Sequence, residues 1–238
     1  LSRHIDVTFL VRESSYWNNV IPAEESAMVN RHILEHHVDL RLGTELAEII
    51  NDGSGKVKGV KTSKGDIIDC EWVGLTAGVR PNVHFLKDSG IHIGRGVMVN
   101  EYFETNVPNV YAIGDCAEFH TALPNRRNIE QVWYTGKMHG ETVALTITGN
   151  RRAYRPGIWF NSAKFFDIEY QVYGEVPPQL PADEDTLYWE HKDGHKSIRI
   201  NYKKENGMVT GFNLMGVRYR HKVCDQWIHE GRDIAYVL

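Results

Sequence analysis

Residues 105–118 read Thr-Asn-Val-Pro-Asn-Val-Tyr-Ala-Ile-Gly-Asp-Cys-Ala-Glu, and the chemistry of that string sits at Gly114-Asp115. The apolar run Val110–Ile113 leads into the pair. A strand there would deliver Asp115 at its C-terminal end, where open α/β sheets place their ligands. Gly114 lets backbone approach a bound molecule closely, and the Asp115 carboxylate accepts a hydrogen bond from a sugar-like hydroxyl. Taken alone, a strand ending in Gly-Asp is more often turn chemistry than a site.

Other reactive residue types are present in less informative patterns. Cys70, Cys116 and Cys224 form neither a C-x-x-C pair nor a zinc spacing. They read as reduced thiols of a cytoplasmic protein, and Cys116 as a small residue at a strand-to-helix junction. Among twelve histidines, His32-Ile33-Leu34-Glu35-His36 matches the order H-x-x-E-H. No third ligand is evident in the sequence, so these residues read as a polar helix face and no metal is predicted. His191 and His195 flank a turn and read as solvated.

The elements that must position these residues follow from hydrophobic period and turn chemistry. Val7–Val11 predicts a buried strand. Pro22 with Glu24 and Glu25 starts a helix, with Ala27, Val29, Ile33 and Leu34 as its apolar stripe down to His37. Val38–Leu42, Leu46–Ile50, Val57–Thr62 and Ile67–Asp69 predict short strands, the last three a meander. Trp72–Thr76, Val97–Val99 and Val110–Ile113 predict further strands, and Phe85–Ser89 a short helix. A long helix is expected from about Asn128 to Thr148, packing through Val132, Thr135, Met138, Thr142, Val143 and Thr146. After Arg151-Arg152, Lys164–Tyr173 alternates apolar and polar residues. Thr186–His191, Ser197–Tyr202 and Met208–Met215 then form an antiparallel meander. A last helix, about Arg218–Gly231, presents Val223, Trp227 and Ile228.

The 105–118 string resembles the C-terminal FAD signature of the pyridine nucleotide–disulfide oxidoreductase superfamily. Thr76-Ala77-Gly78-Val79-Arg80-Pro81-Asn82 resembles the segment that leads in that family from the NAD(P) domain back to the FAD domain. Asn128-Ile129-Glu130-Gln131-Val132 is similar to the start of the helix aimed at the flavin pyrimidine ring. Gly157–Gly174, with Ser162-Ala163-Lys164-Phe165-Phe166-Asp167, resembles the entry to the C-terminal interface domain. The resemblance implies an α/β fold of incomplete NAD(P)- and FAD-binding Rossmann-like domains. An α+β interface domain with an antiparallel sheet follows. It divides the chain into 1–78 (NAD(P) part), 79–150 (FAD part) and 151–238 (interface part).

By the same resemblance, Gly114, Asp115 and the backbone of Glu130, Gln131 and Val132 would hold FAD. Gly78 and the strand end at Arg12 and Glu13 would meet NADPH or NADH. An acidic group there suits the ribose of NADH and Arg suits the 2′-phosphate of NADPH, so the pair leaves the preference open. Trp17 and Asn18 either border that nucleotide or pack. Ser162 and Lys164 either approach the flavin or solvate a strand edge.

The implied activity is hydride transfer from NAD(P)H to flavin and electron transfer to an acceptor, a small molecule or small redox protein, in a homodimer. NADH oxidase, ferredoxin- or rubredoxin-type reductase and disulfide reductase all fit. So does a non-catalytic dimerisation module. Neither G-x-G-x-x-G nucleotide turn is present, and residues before Val7 resemble the tail of the helix that follows one. The chain is therefore expected to be the C-terminal portion of a longer flavoprotein, inactive by itself.

Composition closes off other classes. The 238 residues carry a net charge of −4, which disfavours a nucleic-acid surface. Mean hydropathy is −0.41, and no apolar run approaches the roughly 18 residues of a membrane span.

Overall fold

The computed structural model describes residues 5–123 and 126–238. Residues 1–4, part of the helix tail expected before Val7, lie outside the described residues. The chain forms two compact units, one joining Leu1–Thr76 to Ser162–Leu238 and the other spanning Ala77–Asn161.

In the first unit, β1 (Thr8–Val11) pairs in parallel with β2 (Asp39–Leu42), and α1 (Ala23–Glu35) is the crossover between them. Pro22 precedes the first helical turn, as its fixed φ favours. β3 (Leu46–Asn51), β4 (Val57–Thr62) and β5 (Ile67–Asp69) form the expected antiparallel meander. Trp72–Thr76 is not a strand. Trp72 and Leu75 are 80% and 73% exposed, and an extended run without a partner edge makes no ladder.

In the second unit, β6 (Val97–Val99) pairs in parallel with β7 (Ala117–Phe119), and α2 (Trp133–Ile147) packs beside them. Three expectations are corrected here. Val110–Ile113 forms no strand: Tyr111 makes a single antiparallel bridge to Glu104, and the ladder starts only after the Gly-Asp turn. Asn128–Val132 is not helical, so α2 begins five residues later than the hydrophobic period suggests. The short helix expected at Phe85–Ser89 is a single 3₁₀ turn, His84–Leu86.

Returning to the first unit, β8 (Phe160–Phe165), β9 (Ile168–Gly174), β10 (Glu184–Glu190), β11 (Ser197–Lys203) and β12 (Val209–Met215) build one sheet in the order β10-β11-β12-β9-β8. The stretch read as a single alternating run is a hairpin, turned at Phe166-Asp167 with Phe166 at φ 55°. α3 (His221–His229) buries Cys224 more deeply than Val223, Trp227 or Ile228, and α4 (Ile234–Val237) follows.

α1 joins the sheet through charge as well as apolar contact. Met28, Val29 and Ile33 are buried as a helical stripe, but Leu34 is exposed and Glu25 is fully buried. Arg199 of β11 donates from Nε to Glu25 Oε1 at 2.7 Å and from Nη2 to Glu25 Oε2 at 3.0 Å and Glu24 Oε2 at 2.7 Å. Its guanidinium also lies over the Tyr188 ring. Burial pushes the Glu25 carboxyl up against the pull of Arg199. Trp17, at φ 60°, packs edge-on against Phe165 and Tyr170, which makes it a packing residue.

Breaking this pair should cost more than removing it. Arg199→Met leaves a buried carboxylate unpaired and is expected to lower unfolding free energy by about 3–5 kcal/mol in urea titrations. The double variant Glu25→Leu/Arg199→Met should regain most of that loss. A single variant as stable as wild type would refute this role for the pair.

Candidate functional site

The Gly114 turn is built from three pieces of the second unit. Gly114–Cys116 is one 3₁₀ turn, entered from extended Ile113 and leaving directly into β7. Gly114 adopts φ +71°, a conformation that strains any residue with a Cβ. No atom lies within 4 Å of where a Cβ would stand, so the space above the turn is open. Beside it Asp115 is exposed, and its carboxylate has no partner among the described residues.

α2 presses on the turn from one side. A Cβ built on Gly136 would be 3.7 Å from the Gly114 Cα, so the small residue permits this approach. One turn further on, His139 accepts the Gly114 N–H at Nδ1, at 3.1 Å. His139 is 1% exposed and sits against the rings of Phe103, Phe119 and Tyr154. These rings belong to a core with Val99, Ala117 and Val143. Burial, aided by the charge of Arg126, pulls the imidazole down to about 4, so it is neutral with Nδ1 available as acceptor. His139 was absent from the expected packing face of α2. Its signal was its position, three residues after Gly136 and one turn before Val143, on a face otherwise of small and apolar residues.

The helix start carries three further features. Val132 is the N-cap and offers no side-chain acceptor, so the first amides of α2 are uncapped. The Glu130 carboxylate is committed to Arg126 in a buried pair, with Nη2 at 2.6 Å from Oε2, and the Arg126 guanidinium faces Trp159. Gln131 keeps a buried Nε2 with no hydrogen-bond partner among the described residues. At this site the backbone of 130–132, rather than the Glu130 side chain, is what remains available.

The remaining predicted residues divide between the units. Gly78, in the second unit, is exposed at φ +92° with open space at its Cβ position. Arg12 and Glu13 lie at the end of β1 and pair with each other, Nη2 to Oε1 at 2.5 Å. The pairing holds the Glu13 carboxyl below its usual range and raises the Arg12 guanidinium. Asn18 donates to Ser14 at 3.1 Å. Ser162 and Lys164 are exposed on β8, the edge strand of the five-stranded sheet. The Cys116 thiol donates to the Ile113 carbonyl at 3.5 Å, and all three cysteines are free.

An open positive-φ glycine, an adjacent unpaired carboxylate, uncapped helix amides and a buried unpaired amide fit a ligand with hydroxyls and negative charge. They fit FAD. Among the described residues no helix is long and apolar enough to cross a membrane.

Comparison with known proteins adds an independent line. The family profile described as "Pyridine nucleotide-disulphide oxidoreductase" matches residues 2–140. The chain is 25% identical over 225 residues to an NADH oxidase of Methanocaldococcus jannaschii, covering 90% of this chain and 50% of that protein. It is 30% identical over 215 residues to a nitric oxide reductase FlRd-NAD(+) reductase of Salmonella schwarzengrund, covering 88% and 55%. The crystal structure of a covalent putidaredoxin reductase–putidaredoxin complex matches 97% of this chain and 54% of its own, with TM-score 0.79 and 20% identity. That last likeness is one of fold. The chain spans about half the length of these relatives.

The neutral His139 carries a pH signature. Its folded-state pKa lies below its ordinary 6.5, so its contribution to stability is complete above pH 6.5 and is lost as pH falls from there toward 4. The full loss is at most about 3 kcal/mol. His139→Gln, whose amide oxygen still accepts the Gly114 N–H, should flatten the decline of thermal midpoint over that range. Identical slopes in variant and wild type would rule the assignment out.

Proposed function

The chain belongs to the pyridine nucleotide-disulphide oxidoreductase family, and from that premise we propose that it serves an FAD-dependent NAD(P)H oxidoreductase. The family uses FAD and NAD(P)H. When bound, these cofactors supply the hydride and electron chemistry, moving a hydride from nicotinamide to flavin and electrons on to an acceptor. The observation that carries the reading is the Gly114-Asp115 turn, open at its glycine and held against α2 by His139.

In this reading Asp115 accepts a hydrogen bond from a hydroxyl of the FAD chain, and Gly114 keeps backbone close to it. The backbone of Glu130, Gln131 and Val132, at the positive end of α2, faces the negative charge of the reduced cofactor. Arg126 holds the Glu130 carboxylate away from that position, where a second negative charge would oppose reduction. Arg12 and Glu13 meet the ribose end of NAD(P)H, and their mutual pairing must open to admit a 2′-phosphate. Gly78 would also meet NAD(P)H, Ser162 and Lys164 of the interface part, 151–238, would approach the flavin, and that part would carry a homodimer contact. The acceptor is a small redox protein or small molecule. In support, two of the relatives above are an FlRd reductase and a putidaredoxin reductase.

Measured on the intact gene product, the test is a visible spectrum. Flavin bands that bleach on addition of NAD(P)H are expected. Asp115→Ala should weaken FAD retention about tenfold or more, the worth of a hydrogen bond to a charged group. Arg12→Ala should lower the preference for NADPH over NADH. A colourless product with no FAD affinity would overturn the proposal and favour a non-catalytic dimerisation module.

A further inference from the structure

The H-x-x-E-H stretch of α1 acquires in three dimensions the ligand that the sequence did not reveal. His32 and His36 are one helical turn apart, with ring centroids separated by 4.6 Å. The turn between β8 and β9 brings Asp167 to them, its Oδ1 2.6 Å from His32 Nε2 and 3.3 Å from His36 Nε2. The three ligand atoms all lie within 4.8 Å of one another. We propose that His32, His36 and Asp167 form a binding site for one divalent transition-metal ion of the zinc class, with Glu35 orienting His32 from behind.

The distances suit such an ion. Zinc bonds of about 2.0–2.2 Å to nitrogen and oxygen set tetrahedral donors roughly 3.3 Å apart. The His36–Asp167 separation already has that value, and the His32–Asp167 separation must open by about 0.7 Å. Asp167 is 74% exposed at a hairpin turn, so the adjustment falls on a mobile side chain. His32 is 3% exposed and supplies the rigid ligand.

The surroundings do the rest. Glu35 Oε2 lies 3.2 Å from His32 Nδ1, the carboxylate–imidazole pairing that fixes the tautomer and leaves Nε2 to bind metal. The same Oε2 lies 2.8 Å from His195 Nε2, so His195, read as merely solvated, belongs to this cluster. Phe166 stacks on the His36 ring at 4.1 Å and meets His32 edge-on, walling one side with apolar surface. Two nitrogens and one oxygen select zinc, cobalt or nickel over magnesium or calcium, which take oxygen ligands. Glu35 is engaged by two histidines, and the site ties the end of α1 to the β8–β9 turn. Its role is therefore that of a clamp within the first unit.

The test is titration of the intact protein with Co²⁺ alone, read by its visible d–d absorption, followed by displacement with Zn²⁺. One equivalent per chain is expected, bound in the micromolar range. His36→Ala and Asp167→Asn, both at solvent-accessible positions that keep the buried His32, should each weaken binding at least tenfold. Glu35→Gln should weaken it about tenfold with little change in the absorption bands. His191→Ala, outside the cluster, should leave affinity unchanged. Binding no tighter than millimolar, or unchanged in His36→Ala and Asp167→Asn, would reduce the cluster to hydrogen-bonded imidazoles and carboxylates and overturn the site.

Discussion

Arg199 stands in the middle strand of the β10–β11–β12 meander and reaches to the first turn of α1, where Glu25 and Glu24 receive it. The pair is separated by 174 residues, yet it joins the first nucleotide-type crossover to the C-terminal sheet. A guanidinium and a carboxylate buried together are each costly without the other, so the geometry is over-determined once both are enclosed. The second contact zone, where Trp17 meets Phe165 and Tyr170, and the third, where His32 meets Asp167, join this crossover to the β8–β9 hairpin of the same sheet. The first unit is thus one folded body made from both ends of the chain, and the register of α1 on the sheet depends on Arg199.

In the second unit the comparable constraint is a neutral imidazole. His139 is surrounded by aromatic rings, which disfavour its charged form, and neutrality is what lets Nδ1 accept the Gly114 amide. The turn needs such help because a positive-φ glycine gains nothing from its own side chain and loses much chain entropy on folding. Gly136 and His139 together replace what a strand ladder would otherwise supply, since Val110–Ile113 has no neighbouring strand among the described residues. The proposed flavin contacts and the stability of the unit therefore share a single hydrogen bond.

Much of this was legible in the residues. Val57–Thr62, Ile67–Asp69 and Val97–Val99 occur where turn chemistry and alternation put them. The Gly-Asp string pointed to the family, and the profile match bears that out. The failures have particular causes. Val110–Ile113 and Trp72–Thr76 are apolar enough for strands, but the first finds only the single Tyr111–Glu104 bridge and the second forms no ladder, and a strand needs a continuous paired edge. The β8–β9 hairpin turns on Phe166-Asp167, which carries none of the Gly or Asn chemistry that announces a tight turn. Glu24 and Glu25 read as complements of a helix dipole, whereas Arg199 claims them.

The sequence by itself determined local preference and family: where chains turn, which runs are apolar, and that the string around Gly114-Asp115 resembles a signature of the family. Those depend on neighbours in the chain, whose spacing a helix or strand converts directly into a face. Only the tertiary structure decided which polar groups meet. It gave Glu25 to Arg199, the Gly114 amide to His139, and Asp167 to His32 and His36. Each of these joins residues far apart in sequence through a directional bond a few ångströms long, and no periodicity encodes a direction in space.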